Sequence, residues 1–199
     1  LVMVDHLGRI ADGDQLLYVI ASDRKRAGTL QGPVVGTVMS NLGLEQKLRS
    51  EGVEFLRAKV GDRYVLAMLK EHGGVLGGET SGHLLCLDRT TTGDGLISAL
   101  EVLAVMKRTG RPLAELVAGM PKFPQVMINV RVRERIDPSR SQVIQDAVSR
   151  VEQGLGTTGR VVLRASGTEP VIRVMIEAQE EAVASRYANE LAEVVRTAI

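Results

Sequence analysis

Apolar positions change period several times along the chain, and each change marks an element. The chain opens on Leu1-Val2-Met3-Val4, an apolar run that reads as a strand. Leu16, Leu17, Ile20 and Ala21 then recur at helical spacing, with Asp12-Gly13-Asp14 supplying N-cap chemistry and Gly28 closing a helix over 14–27. Val34-Val35-Gly36-Thr37-Val38 is β-rich and predicts a strand, followed by a helix over 42–51 and a strand over 53–59. Asp62 reads as the cap of a helix carrying Val65, Leu66 and Leu69. Short strands over 75–78 and 84–87 flank a Gly-rich turn, a helix covers 95–107, and Pro112 opens a shorter one. Strands alternating with helices in this way predict an α/β layer around a mostly parallel sheet.

The pattern breaks at Gly119-Met120-Pro121-Lys122-Phe123-Pro124, where two prolines and a glycine interrupt regular structure and make a linker. Beyond it, Val126, Ile128, Val130 and Val132 alternate with Met127, Asn129, Arg131 and Arg133, the period of a half-buried strand. A helix over 139–155 follows, then strands over 160–164 and 171–177. A last helix places Val183, Tyr187, Leu191, Val194 and Ala198 on one stripe. The order β-α-β-β-α predicts a small α+β domain, an antiparallel sheet with helices on one face. Arg131, Arg133, Arg135 and Arg140 are interleaved by Glu134 and Asp137 and read as a solvated face.

Composition narrows the function more than the fold. At 199 residues, 44% hydrophobic and 25% charged, the chain has room for one large domain or two small ones. A net charge of +1, no Trp and 3% aromatics offer nucleic acid neither a basic field nor stacking platforms. No apolar run approaches the ~20 residues of a membrane span, and no signal-peptide profile precedes the first helix. Cys86, the only cysteine, excludes an internal disulfide framework and suits a reducing cytoplasm. The opening on Leu1 without an initiating Met suggests a cut through a longer protein.

Several loops carry candidate chemistry. Arg164-Ala165-Ser166-Gly167-Thr168-Glu169-Pro170, with Arg173 beyond, joins two predicted strands. Its small residues can turn backbone N–H groups toward an anion, its hydroxyls donate, and its arginines match phosphate oxygens; a plain hairpin turn with incidental arginines is the competing reading. Gly78-Glu79-Thr80-Ser81-Gly82-His83 offers Glu79, Ser81 and His83 as acceptor, hydroxyl and imidazole, a set suited to sugar hydroxyls, against an ordinary Gly-rich turn. Lys59-Val60-Gly61-Asp62-Arg63-Tyr64 is a strand-to-helix junction where Lys59 and Arg63 bring positive charge and Asp62 suits an N-cap. His6 and His72, the other histidines, stand at no metal-binding spacing from His83.

Together and in this order, these loops resemble those of the α-D-phosphohexomutases, and the resemblance covers essentially the whole chain. The 164–170 stretch resembles the phosphate-binding loop of that family's last domain, and the 78–83 stretch the sugar-binding loop of its third. Gly36-Thr37-Val38-Met39-Ser40-Asn41, the 59–64 stretch and Thr91-Thr92-Gly93-Asp94-Gly95 resemble the glucosamine branch rather than the mannose or glucose branches. The resemblance implies a C-terminal portion of a four-domain enzyme: residues 1–11 the tail of domain two, 12–120 domain three, and 121–199 domain four.

Domains outside this chain would then carry the phosphoserine and the Mg²⁺-binding loop. Asp12-Gly13-Asp14 lacks the third aspartate and following Arg of that loop, so no metal site is expected here and both aspartates read as caps. The implied activity interconverts the 6- and 1-phosphates of glucosamine through a phosphoserine and a bisphosphate intermediate, with a sugar 1,6-bisphosphate as activator. It would serve UDP-N-acetylglucosamine and cell-wall synthesis in the cytoplasm. By the same resemblance Arg164, Ser166, Gly167, Thr168 and Arg173 hold the non-reacting phosphate, and Glu79, Ser81 and His83 the sugar. Lys59, Asp62 and Arg63 stand where the mannose branch has a general acid/base His. The expected partners are a phosphorylated amino sugar and the N-terminal domains, without which the chain is expected to be inactive. A glucose or mannose substrate, or a free-standing phosphosugar-binding module, is the alternative.

Overall fold

The computed structural model describes residues 1–132, 137–166 and 169–198. The chain divides into two compact units, Leu1–Lys122 and Phe123–Ile199.

In the first unit a hairpin of β1 (Met3–Val4) and β2 (Ile10–Ala11) leads into α1 (Gly13–Arg26). There follow β3 (Val34–Thr37), α2 (Leu42–Ser50), β4 (Phe55–Ala58), α3 (Asp62–His72), β5 (Leu76–Gly78), β6 (Leu84–Cys86), α4 (Gly95–Thr109) and α5 (Leu113–Val117). The four-stranded sheet has the order β4-β3-β5-β6. Its first three strands are parallel and β6 antiparallel, which gives the mostly parallel α/β layer that the alternating pattern predicts. Register explains the two cores. Val34, Phe55, Leu76, Leu84 and Cys86 point into one core with α1, α4 and α5, while Val35, Ala58 and Leu85 point into another with Val65 and Leu69 of α3. Strands covered on both faces have few polar positions to alternate with, and apart from Thr37 and Arg57 these read as short apolar runs.

Capping departs from expectation at two helices. Gly61, not Asp62, is the N-cap of α3, and Asp62 is that helix's first residue. At α1 a capping box is completed by Asp12 and Gln15 alone: Gln15 N–H donates to Asp12 Oδ1 at 3.0 Å, and Asp12 N–H to Gln15 Oε1 at 3.2 Å. Asp14 is therefore not a capping residue.

The second unit contains β7 (Gln125–Arg131), α6 (Gln142–Leu155), β8 (Gly159–Ala165), β9 (Val171–Ala178) and α7 (Glu181–Thr197), with a 3₁₀ turn at Pro138–Arg140. Its sheet is antiparallel, ordered β7-β9-β8, and both helices pack on one face. The buried stripe of α7 is centred on Ala184, Ala188, Leu191 and Val195, so the predicted Val183, Tyr187 and Val194 sit on its margin. Alanines let the helix approach the sheet closely, and bulk alone misplaced the stripe by one residue. Arg131 and Arg140 are exposed; Arg133 and Arg135 lie outside the described residues.

Candidate functional site

Parallel strands direct their following loops to one edge of the sheet, and there the first unit gathers its candidate chemistry. Arg57 of β4 pins the loop after β3: its Nη1 donates to the carbonyls of Thr37 (2.9 Å) and Ser40 (2.7 Å), and its Nε to Glu45 (2.7 Å). Asn41 then caps α2 by accepting from Gly43 N–H at 3.0 Å.

The loop after β4 reaches the loop after β5 through Gly61, whose N–H donates to Glu79 Oε1 at 2.9 Å. Gly61 has φ 124° and ψ 129°, a conformation that residues with a Cβ avoid. Lys59, Asp62 and Arg63 are all exposed. Asp62 Oδ2 lies 3.6 Å from His83 Nε2, and Arg63 stacks on Tyr64 and donates to its hydroxyl at 2.8 Å. The structure thus brings Asp62 to the sugar-type loop and turns Arg63 toward its neighbour on α3.

Residues 79–83 form a tight turn in which Glu79 N–H donates to the His83 carbonyl (3.0 Å) and Gly82 N–H to that of Glu79 (2.9 Å). Glu79 is half-buried while Ser81 and His83 are exposed, so all three are reachable from solvent. Gly93 packs against the His83 ring, closely enough that a Cβ there would overlap it, which brings the 91–95 motif to the same edge. Asp94 of that motif caps α4, accepting from Leu96 N–H (2.8 Å) and Ile97 N–H (3.0 Å).

Two residues of this edge were not singled out as functional candidates in the sequence. Arg57 looks like an ordinary strand arginine. Asp14 is completely buried, accepting from Asn41 N–H and the Thr80 hydroxyl, each at 2.8 Å. Burial pushes its carboxyl above the usual carboxylate range, against the downward pull of those hydrogen bonds. The signal available was the capping box itself: Asp12 and Gln15 complete it, which leaves the second aspartate without a local task.

In the second unit Arg164 of β8 and Arg173 of β9 are register partners, with Asn129 of β7 opposite Arg173 on its other side. Directly paired residues project from the same face, so two guanidinium groups flank the end of the β8–β9 hairpin. Burial and the neighbouring Arg173 both lower the pKa of Arg164. Arg173 Nε is buried without a hydrogen-bond partner among the described residues, and Arg173 Nη2 lies 4.0 Å from Glu169 Oε2. Ser166 is 4% exposed; its N–H donates to the Val171 carbonyl at 2.8 Å, and its hydroxyl accepts from Glu169 N–H at 3.3 Å. Gly167 and Thr168 lie outside the described residues.

Among the described residues no group of three or more His, Cys, Asp and Glu could hold a metal ion. No helix among the described residues is long and apolar enough to cross a membrane.

A family model described as phosphoglucomutase/phosphomannomutase, alpha/beta/alpha domain III, matches residues 12–123, and the model of that family's C-terminal domain matches 127–194. The phosphoglucosamine mutase of Methylococcus capsulatus is 55% identical over 100% of this chain and 44% of its own length. That of Alkalilimnicola ehrlichii is 56% identical over 99% and 44%. The chain thus spans less than half the length of these curated relatives. Among solved structures, the N-acetylphosphoglucosamine mutase of Aspergillus fumigatus in complex with GlcNAc-6P and magnesium matches with a TM-score of 0.81 at 21% identity, over 98% of this chain and 49% of that one. A phosphoglucomutase/phosphomannomutase family protein of Burkholderia thailandensis matches with a TM-score of 0.77 at 23% identity, over 99% and 44%. At such identities the likeness is one of fold. With the two domain models together accounting for nearly all of its length, the chain belongs to the phosphoglucomutase/phosphomannomutase family.

Proposed function

We propose that this chain supplies sugar and phosphate binding to a phosphoglucosamine mutase that interconverts glucosamine 6-phosphate and glucosamine 1-phosphate. The observation that carries this reading is the anchoring of Glu79. Its Oε1 is held by Gly61 N–H within a turn whose Ser81 and His83 are open to solvent, and Gly61 lies in the 59–64 stretch that resembles the glucosamine branch. A carboxylate fixed at one oxygen keeps lone pairs free for adjacent hydroxyls, and it accepts from either orientation of a sugar that must bind both ways round.

In the second unit Arg164 and Arg173 present fixed donors to phosphate oxygens, and the Nε of Arg173, without a partner among the described residues, is one buried donor that such an anion satisfies. Ser166, Gly167 and Thr168 complete that loop in this reading. The phosphate held there is the non-reacting one, and the work of these residues is positioning and charge stabilisation. Lys59, Asp62 and Arg63 remain the candidate groups at the sugar edge, with Asp62 3.6 Å from His83 and Arg63 donating one hydrogen bond to the Tyr64 hydroxyl.

Residues 1–11 belong in this reading to the tail of the family's second domain, 12–120 to the third and 121–199 to the fourth. The serine that carries the phosphoryl group, the Mg²⁺ ligands and the remaining domains belong to the rest of a cytoplasmic enzyme, activated by a sugar 1,6-bisphosphate. The test is calorimetry and turnover on the 199-residue chain. It is expected to bind glucosamine 6-phosphate more tightly than glucose 6-phosphate or mannose 6-phosphate, and to give no turnover with Mg²⁺ and bisphosphate present. Turnover by the isolated chain, or equal affinity for all three sugars, refutes the assignment.

A further inference from the structure

The sugar-type loop rests on a carboxylate that the fold has no local need of. Asp14 lies in the first turn of α1 with no exposed surface, although the cap of that helix is complete without it. Its Oδ2 accepts both from Asn41 N–H and from the Thr80 hydroxyl, while Oδ1 has no hydrogen-bond partner among the described residues. Burying a carboxylate with one oxygen unpaired is costly, so its presence calls for a compensating role.

What Asp14 joins is specific. Asn41 ends the loop after β3, and Thr80 is the residue between Glu79 and Ser81. Thr80 is gripped twice from α1: its hydroxyl by Asp14, and its carbonyl by Gly13 N–H at 3.0 Å. The turn lies so close on α1 that a Cβ on Gly13 would overlap the Glu79 carbonyl. Fixing both the backbone and the side chain of the middle residue sets the direction in which its two neighbours project.

We propose that Asp14 is a positioning residue for hexosamine phosphate binding: by holding Thr80 against Asn41, it locks the 79–83 turn in the register that presents Glu79 and Ser81 to the sugar. This rests on the sugar-binding reading of that turn.

The test is calorimetry on the 199-residue chain with glucosamine 6-phosphate and, separately, inorganic phosphate. Asp14→Leu and Thr80→Val are each expected to lower glucosamine 6-phosphate affinity by about tenfold while leaving inorganic phosphate affinity unchanged. Asp14→Asn keeps one oxygen able to accept both bonds, and is expected to stay within about threefold of the parent. Should Asp14→Leu not fold, Thr80→Val decides, since it removes only a hydroxyl on a partly exposed turn. Full glucosamine 6-phosphate affinity in Thr80→Val, or an equal loss for both ligands, overturns the proposal. Glu79→Gln separates the two levels. Unaltered hexosamine phosphate binding there removes the turn from the site altogether, whereas weakened binding there with an unaffected Thr80→Val refutes only the role of Asp14.

Discussion

Replacing Gly61 by alanine probes the strand-to-helix junction at its most constrained point. The added methyl meets Tyr64 Cδ2 at 3.3 Å and Cε2 at 3.6 Å, so crowding by neighbours is a minor effect. The backbone decides the outcome, because φ 124° with ψ 129° lies where a residue with a Cβ is strained by about 1–3 kcal/mol. Two responses are open. If the junction holds its shape, the first unit carries the strain and its melting transition falls by about 4–12 °C, taking roughly 4 °C per kcal/mol for a unit of that size. If the junction relaxes toward negative φ, the N–H turns away from Glu79 and the turn loses its anchor. Stability is then largely kept, and glucosamine 6-phosphate affinity drops about tenfold, the equivalent of ~1.4 kcal/mol. Differential scanning calorimetry together with titration calorimetry on the same sample reads both responses. A Gly61→Ala chain that melts with the parent and binds the sugar phosphate equally well refutes the reasoning.

Three further outcomes are expected. Unfolded, Asp14 ionises near pH 4, whereas burial makes the folded chain hold its proton to higher pH. Its contribution to stability is thus complete below about pH 4 and lost as pH rises through the folded value. The stability of Asp14→Asn relative to the parent is expected to improve from pH 3.5 to neutrality, and parallel denaturation profiles would contradict this. Arg173→Ala is expected to weaken inorganic phosphate binding about tenfold, with Arg173→Lys recovering only part because a single ammonium lacks the guanidinium fork; unchanged affinity by calorimetry removes Arg173 from the anion site. Burial pushes the Cys86 thiol up to about 11, against the pull of Arg24, so the native chain is expected to resist iodoacetamide at pH 8 until denatured. Alkylation of the native chain as fast as the unfolded one would show the thiol to be accessible.

Elements with a long period were legible in the sequence: α1 and α7, and the alternating strand β7, follow from their spacing, with caps helping at α1. The buried strands β3, β5 and β6 were legible as short apolar runs bounded by glycines. What escaped has a common cause in distance along the chain. The pairing of β2 with β1 involves two residues on each strand, too few to show any period. The task of Asp14 depends on partners 27 and 66 residues away, which no local rule reveals. Asp62 was read as a cap because aspartate commonly is one; the positive φ of Gly61 moved the helix start by one residue and freed Asp62 to face His83. Of the candidate site, the residue types were visible in the motifs. The contact from Gly61 to Glu79, which turns two neighbouring loops into one edge, was not.

The register pairing of Arg164 with Arg173 has a practical consequence for anyone handling the protein. Two like charges held opposite each other in a folded sheet are a mutual repulsion that the unfolded chain does not suffer. An anion seated on them relieves that repulsion only in the folded state, and by mass action it shifts the folding equilibrium. If the pair binds phosphate as proposed, the choice of buffer becomes part of any stability measurement on the second unit. On the proposed phosphate-binding reading of this pair, a melting temperature taken in phosphate is expected to exceed one taken in a zwitterionic buffer, and the gap between them is a ligand titration in disguise.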